Sequence, residues 1–441
     1  MRMIKIRARE GAPTERGGSP RPRRSGIVVV TFSIEDRDID SSRQQPSTKI
    51  SVRRLSKIFG PHPGSVLDAL DAGHSKGGIM EQSGHVVAVR DASFDVAEGE
   101  IFVIMGLSGS GKSTLVRMIN RLIEPTRGEV LIDDQDLTRM DKQQLIELRR
   151  HGISMVFQSF ALMPHLTNLE NAAFGLAVAD VKEPERSQRA RRALETVGLA
   201  EFADGQPHEL SGGMQQRVGL ARALAVEPAI MLMDEAFSAL DPLIRTEMQR
   251  ELLTIQRERG ITVVFVSHDL DEALSVGDRI AIMDDGAVVQ VGTPRELVMA
   301  PANEYVQHFF ERIDVSRILT AGDVAQTPRV SVRLAGDGAR AVAPRLDAEP
   351  ARFVYVCDAA GIYRGVAGRD EWDAACRNEE PVDETLLDDV RPIGSNQTLA
   401  QIIDRVAVTR CPAPVVGPDG GLRGVISRTA FLKALRKGRA T

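Results

Sequence analysis

One short stretch constrains this chain more than any other. An apolar run ending at Met105 leads into Gly106-Leu107-Ser108-Gly109-Ser110-Gly111-Lys112-Ser113. Glycines at this spacing let the backbone curl so that successive amide N–H groups point inward. Residues 113–122 then read as a helix, whose N-terminus adds the positive end of its dipole. A buried strand, a glycine turn and a helix start, in that order, form a cradle for phosphate oxygens. Lys112 supplies a point charge for β- and γ-phosphates, and Ser113 offers a hydroxyl to Mg²⁺. The chain has nine lysines against 47 arginines, so a lysine at this position is not a product of composition. Gly106, Ser108, Gly109, Ser110, Gly111, Lys112, Ser113 and Thr114 are therefore the expected nucleotide-binding residues.

A second apolar run, 230–233, ends in Asp234-Glu235. An Asp at the end of a buried strand can hold Mg²⁺, directly or through water. Glu235, next to it, stands where a water could be polarised for attack on a γ-phosphate. Such an acid pair means little alone and gains its meaning from the phosphate loop.

Strand patterns fall at 50–55, 86–96, 100–105, 128–132, 153–157, 230–233, 261–266 and 279–283. Helical patterns lie between many of them, which predicts an α/β core. Residues 301–314 read as a hinge. Two related units follow. Residues 353–376 read as strand, glycine turn, strand and short helix. Residues 389–437 give a helix from Leu399, strands at 413–416 and 422–426 around a glycine turn, and a helix from Arg428. The second unit is clean and the first degenerate. That last helix carries Arg428, Lys433, Arg436, Lys437 and Arg439 without an acid, a face suited to anionic lipid or a nucleotide and equally to solvent.

The formal charge of −5 is uneven: residues 1–48 are net +4, 49–312 net −10 and 313–441 net +1. An acidic middle block argues against broad binding to nucleic acid. Residues 1–48 are rich in Arg, Pro, Ser and Gly and read as a disordered basic tail. No apolar run approaches the roughly 20 residues needed to span a bilayer, so work at a membrane would require a spanning partner. Cys357, Cys376 and Cys411 form no C-x-x-C, which suggests neither a zinc site nor a disulfide framework, and a reducing cytosol. The apolar stretch 27–30 is too short for a signal peptide.

Leu210-Ser211-Gly212-Gly213-Met214-Gln215-Gln216-Arg217 resembles the signature sequence of ABC ATPases. Other motifs of that family match in order. Gln158 resembles the Q-loop glutamine, Ser238-Ala239-Leu240-Asp241 the D-loop, and His268 the switch histidine. Phe59 resembles the aromatic residue that stacks on adenine, although residues 61–84 intervene before the next strand. The resemblance implies two copies packed head to tail, with ATP between the phosphate loop of one and Ser211, Gly212 and Gly213 of the other. It implies that His268 orders the γ-phosphate and the attacking water. Asp241 would couple the two sites, and Gln158 would sense Mg²⁺ and nucleotide. Together with Lys112, this makes Glu235 and His268 the expected catalytic groups. Ser113, Gln158 and Asp234 are the expected metal ligands.

Residues 101–133, 155–165, 233–248 and 279–294 further resemble the ATP-binding subunit of glycine betaine/L-proline importers. So do the interposed segment 61–84, with His74-Ser75-Lys76, and a C-terminal pair of CBS-type units. The implied fold is a P-loop NTPase domain with a helical subdomain at 49–312, followed by a CBS-type α/β pair at 313–441. Such pairs bind adenine nucleotides or cyclic dinucleotides, respond to ionic strength, or serve only to stabilise or dimerise. The implied partners are an integral membrane permease, a periplasmic or lipid-anchored solute-binding protein and a second copy of the chain, at the cytoplasmic face of the inner membrane. Two alternatives remain: an importer of another amino-acid-like solute, or a soluble ABC ATPase acting on ribosome or DNA. The single phosphate loop and the acidic core argue against the latter.

Overall fold

The computed structural model describes residues 47–158, 161–238, 240–311, 313–334, 351–378 and 386–436. All but the last two residues of the expected basic tail lie outside these, as do Ala239, Lys437, Arg439 and the side chain of Cys376. The chain divides into two compact units, and each is described by itself.

The first unit holds the described residues up to Thr320, with 398–403 and 429–436. Its strands are β1 (Thr48–Phe59), β2 (Val86–Ala97), β3 (Ile101–Gly106), β4 (Arg127–Ile132) and β5 (Gln135–Asp136), then β6 (Ile153–Val156), β7 (Ile230–Asp234), β8 (Thr262–Ser267), β9 (Arg279–Asp284) and β10 (Ala287–Gly292). They form a four-stranded sheet in the order β2-β1-β4-β5 and a six-stranded sheet in the order β10-β9-β3-β8-β7-β6. The first is antiparallel throughout. In the second, β9-β3-β8-β7-β6 are parallel and only β10 runs against its neighbour.

Sequence pattern explains the difference. Along β2 buried and exposed residues largely alternate, with Val87, Val89, Phe94 and Val96 inside, as in a sheet wetted on one face. Every residue of β3, β7 and β8 is buried, because parallel strands are covered on both sides. On one face Phe102, Ile104 and Leu115 join Val52, Val89 and Phe94 of the antiparallel sheet. The Phe94 and Phe102 rings stack there at 4.9 Å. On the other face Val103, Met233 and Phe265 pack with residues of the helices Asn168–Val178, Glu185–Thr196 and Gly212–Ala225.

Three expectations need correction. Residues 301–314 are not an open hinge, because Glu304–Phe310 is a helix capped by Asn303, and it buries Val306 and Phe310 in the main core. The phosphate-loop helix stops at Ile119, since Arg121 takes φ +48° and cannot continue it. β1 runs past Leu55 to Phe59: the polar Ser56 is tolerated inside because its hydroxyl accepts from Asp91 N at 2.9 Å.

The second unit comprises the described residues of 321–397 and 404–428. It holds β11 (Ser331–Arg333), β12 (Phe353–Cys357) and β13 (Tyr363–Gly368) in one sheet, and β14 (Ile393–Gly394), β15 (Ala413–Val416) and β16 (Leu422–Ile426) in another. Each sheet has a parallel pair followed by an antiparallel one, so the pattern is repeated. Trp372 is fully buried against Val330, Val354 and Val356, while Tyr355, Val366, Cys411 and Val425 make a core drawn from both sheets. Cys357 and Cys411 are buried, and burial pushes both thiols up to about 11. Among the described residues, no helix is long and apolar enough to cross a membrane.

Burial of the helix Glu304–Phe310 can be tested directly. Phe310→Ala is expected to cost about 3–5 kcal/mol, the usual range for emptying a core aromatic site. Denaturant unfolding should show a lowered midpoint, and an unchanged midpoint would restore the hinge.

Candidate functional site

β3 delivers the chain into the phosphate loop, and two glycines fix the loop by lack of space. A Cβ on Gly106 would run into the Met283 carbonyl, and one on Gly111 into the Ala88 carbonyl. Gly111 takes φ +98° and caps the helix Lys112–Ile119. The Lys112 Nζ donates to the carbonyls of Gly106 and Leu107 at 2.9 and 3.0 Å. Its burial lowers its pKa, and nearby Glu235 and Asp234 oppose that shift. A desolvated ammonium held by two neutral carbonyls is poised to take phosphate oxygens instead. Ser110 Oγ is buried with no partner, Ser108 and Gly109 are exposed, and Ser113 and Thr114 lie half-buried on the first helical turn.

Asp234 ends β7 almost wholly buried. Its Oδ2 accepts from Arg117 Nε and Nη2 at 3.2 and 3.0 Å, while its Oδ1 is buried without a partner. An orphaned carboxylate oxygen beside the phosphate loop has the chemistry of a Mg²⁺ ligand, direct or through water. Arg117, from the phosphate-loop helix, orients it. Glu235 takes φ +48°, an uncommon backbone state for a glutamate, and its N–H donates to the Val266 carbonyl at 3.2 Å. Its Oε2 lies 3.3 Å from His268 Nδ1 and accepts from Gln158 Nε2 at 3.4 Å. Lys112, Asp234, Glu235, Gln158 and His268 thus form one cluster.

The D-loop meets this cluster through Ser238, whose Oγ donates to the Glu235 carbonyl at 2.9 Å and accepts from Gln158 Nε2 at 3.4 Å. Asp241 does local work: its Oδ1 accepts from Leu243 and Ile244 N–H, both at 3.1 Å, and caps the helix Pro242–Arg259. Arg245 on that helix pairs with Asp269 at 2.9 Å and donates to the carbonyls of Ser238 and Leu240 at 3.4 and 3.1 Å. One guanidinium therefore ties the D-loop to the residue after His268. Ser267, before it, donates to buried Glu272, which burial holds above the usual carboxylate range.

Ser211 caps the helix Gly212–Ala225, and its side chain accepts from Met214 N at 3.4 Å. Ser211 and Gly212 are exposed, and Arg217 joins this helix to Pro242–Arg259 through Glu247 at 3.0 Å. Phe59 is exposed at the end of β1, with Lys57 Nζ 5.0 Å from its ring centre. Arg117 and Arg245 escape sequence reading because each looks like a solvated helical arginine. Only the strand order makes them part of the site.

Arg245→Ala should release Asp269 and the D-loop carbonyls together. Turnover is expected to fall on the order of 10²-fold, as for a small misplacement of reacting groups, with nucleotide affinity nearly kept. Measuring kcat alongside the ATP Kd checks this, and an unchanged kcat would remove Arg245 from the site.

Residues 89–238 match the family model described as ABC transporter. The chain is 49% identical over 389 residues to the glycine betaine/proline betaine transport system ATP-binding protein ProV of Salmonella typhimurium, covering 88% of this chain and 97% of that protein. It is 46% identical over 390 residues to the glycine betaine transport ATP-binding protein OpuAA of Bacillus subtilis, with 88% and 92% covered. It is 52% identical over 280 residues to the trimethylamine N-oxide transport system ATP-binding protein TmoW of Ruegeria pomeroyi, with 64% and 82% covered. The likeness runs through the phosphate loop and its acid pair and far beyond them: the chain belongs to the ABC transporter ATP-binding proteins, in the family of glycine betaine/proline betaine ATP-hydrolysing subunits.

Proposed function

We propose that this chain powers import of glycine betaine, L-proline and similar compatible solutes, and so serves osmoprotection. The observation that carries this reading is the near full-length likeness to ProV, 49% over 88% of the chain. The solute itself is chosen elsewhere, by a periplasmic or lipid-anchored binding protein and an integral membrane permease. The chain would sit peripherally on the cytoplasmic face of the inner membrane and bind no nucleic acid. The match to TmoW favours trimethylamine N-oxide as a second cargo to be tried.

In this reading Lys112 and the loop amides hold the β- and γ-phosphates of ATP, and Phe59 stacks on the adenine. Ser113, Asp234 and Gln158 hold Mg²⁺, a role supported by the unpartnered Asp234 Oδ1. Mg²⁺ supplies positive charge against the developing phosphate charge. Glu235 accepts the proton of the attacking water, and His268, 3.3 Å from it, keeps water and γ-phosphate in line. A second copy packs head to tail and offers Ser211 with the N–H groups of Gly212 and Gly213, a helix N-terminus suited to an anion. Asp241 and the D-loop join the two sites. Hydrolysis removes the bridging charge and reopens the pair.

Residues 49–312 form the ATP-binding domain in this proposal, and 313–441 a tandem CBS-type regulatory domain with a degenerate first unit. The twice-repeated pattern of a parallel then an antiparallel strand pair supports that assignment.

Glu235→Gln should cut ATP turnover by about 10²–10⁴-fold, the usual worth of a general base, while an ATP-bound pair of chains accumulates on size-exclusion chromatography. Rapid turnover in that variant would end the general-base assignment. Reconstituted in vesicles with its permease and binding protein, the chain should drive ATP-dependent uptake of labelled glycine betaine, and Lys112→Ala should abolish it. Uptake of trimethylamine N-oxide but not of glycine betaine would select the second cargo.

A further inference from the structure

Residues 61–84 stand between Phe59 and its strand partner Val86 and take no part in the chemistry above. They fold as a 3-10 turn, Pro63–Val66, and the helices Leu67–Asp71 and Lys76–Ser83. Val66, Leu70 and Ile79 make a small core with Ile58 of β1 and Val87 of β2. His85 Nε2 lies 2.6 Å from the Pro61 carbonyl, and Asp71 pairs with Arg127 of β4 at 2.7 Å. The segment is a folded arm seated on the strands that carry Phe59 and Ala88.

Lys76 opens the second helix of this arm, after Ser75, whose Oγ accepts from Gly78 N at 3.1 Å. A cation in the first turn opposes the helix dipole. Burial also lowers the Lys76 pKa. Local forces therefore disfavour a lysine here, and its contacts beyond the helix must hold it. Its Nζ is 3.5 Å from Asp285 Oδ1, in the β9–β10 turn. Its end lies over Gly286 so closely that a Cβ there would come within 2.5 Å of Nζ and 2.7 Å of Cε. The same Cβ would stand 2.8 Å from the Ala88 carbonyl, and the Gly286 carbonyl accepts from Arg90 N at 2.7 Å.

Ala88 is also the carbonyl that leaves no room for a side chain on Gly111, the cap of the phosphate-loop helix. At the other end of the loop, the Met283 carbonyl fills the space behind Gly106 and accepts from the Tyr305 hydroxyl at 3.2 Å. Both terminal glycines of the phosphate loop thus rest on backbone of β2 and β9, and Lys76 contacts the turn that follows β9, whose Gly286 is bonded to Arg90 of β2.

We propose that Lys76 is a positioning residue for the nucleotide site: through Asp285 and Gly286 the arm 61–84 holds the β9–β10 turn on Ala88 and so sets where the phosphate-binding helix begins. This rests on the reading of the phosphate loop as the ATP site. Lys76 touches no reacting atom, and it acts on the resting shape of the cradle. Its loss weakens the grip on ATP in ground state and transition state alike, which raises KM and spares kcat. Arg245 differs, because it ties the switch loop and bears on turnover.

The test uses the full chain, Mg·ATP titrations of hydrolysis and a fluorescent ATP analogue for binding. Lys76→Ala should raise KM and the analogue's Kd about tenfold, with kcat within about twofold of the parent. Asp285→Asn alters an exposed side chain, so it keeps the test open if Lys76→Ala folds poorly; it should shift KM in the same direction by less. Unchanged KM in both variants, or a fall in kcat as large as the rise in KM, would overturn the proposal. Lys112→Ala is run beside them. Normal nucleotide binding in that variant would overturn the phosphate-loop reading as well. Lost binding there with normal KM at Lys76 and Asp285 overturns only the arm's role.

Discussion

The site depends on the register of four parallel strands. Met105 of β3 pairs with Ser267 of β8, Asp234 of β7 with Val266, and Val156 of β6 with Met233. Each chemical group lies at or just past the end of such a pair. The phosphate loop follows Met105, His268 follows Ser267, Glu235 follows Asp234, and Gln158 stands two residues beyond Val156. Parallel strands put all these ends on one edge of the sheet, the edge where α/β folds bind ligands. A slip of one residue in β7 would turn Asp234 to the opposite face of the sheet. Because β3, β7 and β8 are buried along their whole length, the register is locked by core packing on both sides.

Within that frame several polar groups are desolvated without full compensation. The Lys112 ammonium rests on neutral carbonyls, Ser110 Oγ has no partner, and one oxygen of Asp234 has none. Buried polar groups are nearly always satisfied, and a bound ligand would satisfy Ser110 Oγ and Asp234 Oδ1 at this edge of the sheet. Arg117 and Arg245 keep the acid pair and the switch loop in place from neighbouring helices.

Much of this was legible in the sequence, because the features that place the site are local. The glycine spacing before Lys112, the apolar runs of β3, β7 and β8, and the acids after Met233 all declare themselves within a few residues. Features that depend on distant partners were not legible. Ser56 and Lys57 interrupt the pattern of β1, and only the bond from Asp91 shows why the strand continues. Residues 301–314 read as a hinge, yet Asn303 caps a helix that buries Phe310. Asp241 reads as a coupling residue, and the structure also spends its Oδ1 on a helix cap. The segment 61–84 is legible only as a resemblance; its fold as a turn and two helices, and its contact with the β9–β10 turn through Lys76, depend on distant partners.

The most direct measurement is a crystal structure of the full chain with Mg²⁺ and a non-hydrolysable ATP analogue. Lys112 Nζ should leave the Gly106 and Leu107 carbonyls for the β- and γ-phosphate oxygens. Asp234 Oδ1 should turn to the metal or its water, with Arg117 still on Oδ2. Phosphates bound elsewhere, with Lys112 still on its two carbonyls and Asp234 Oδ1 still unpaired, would contradict the site described above.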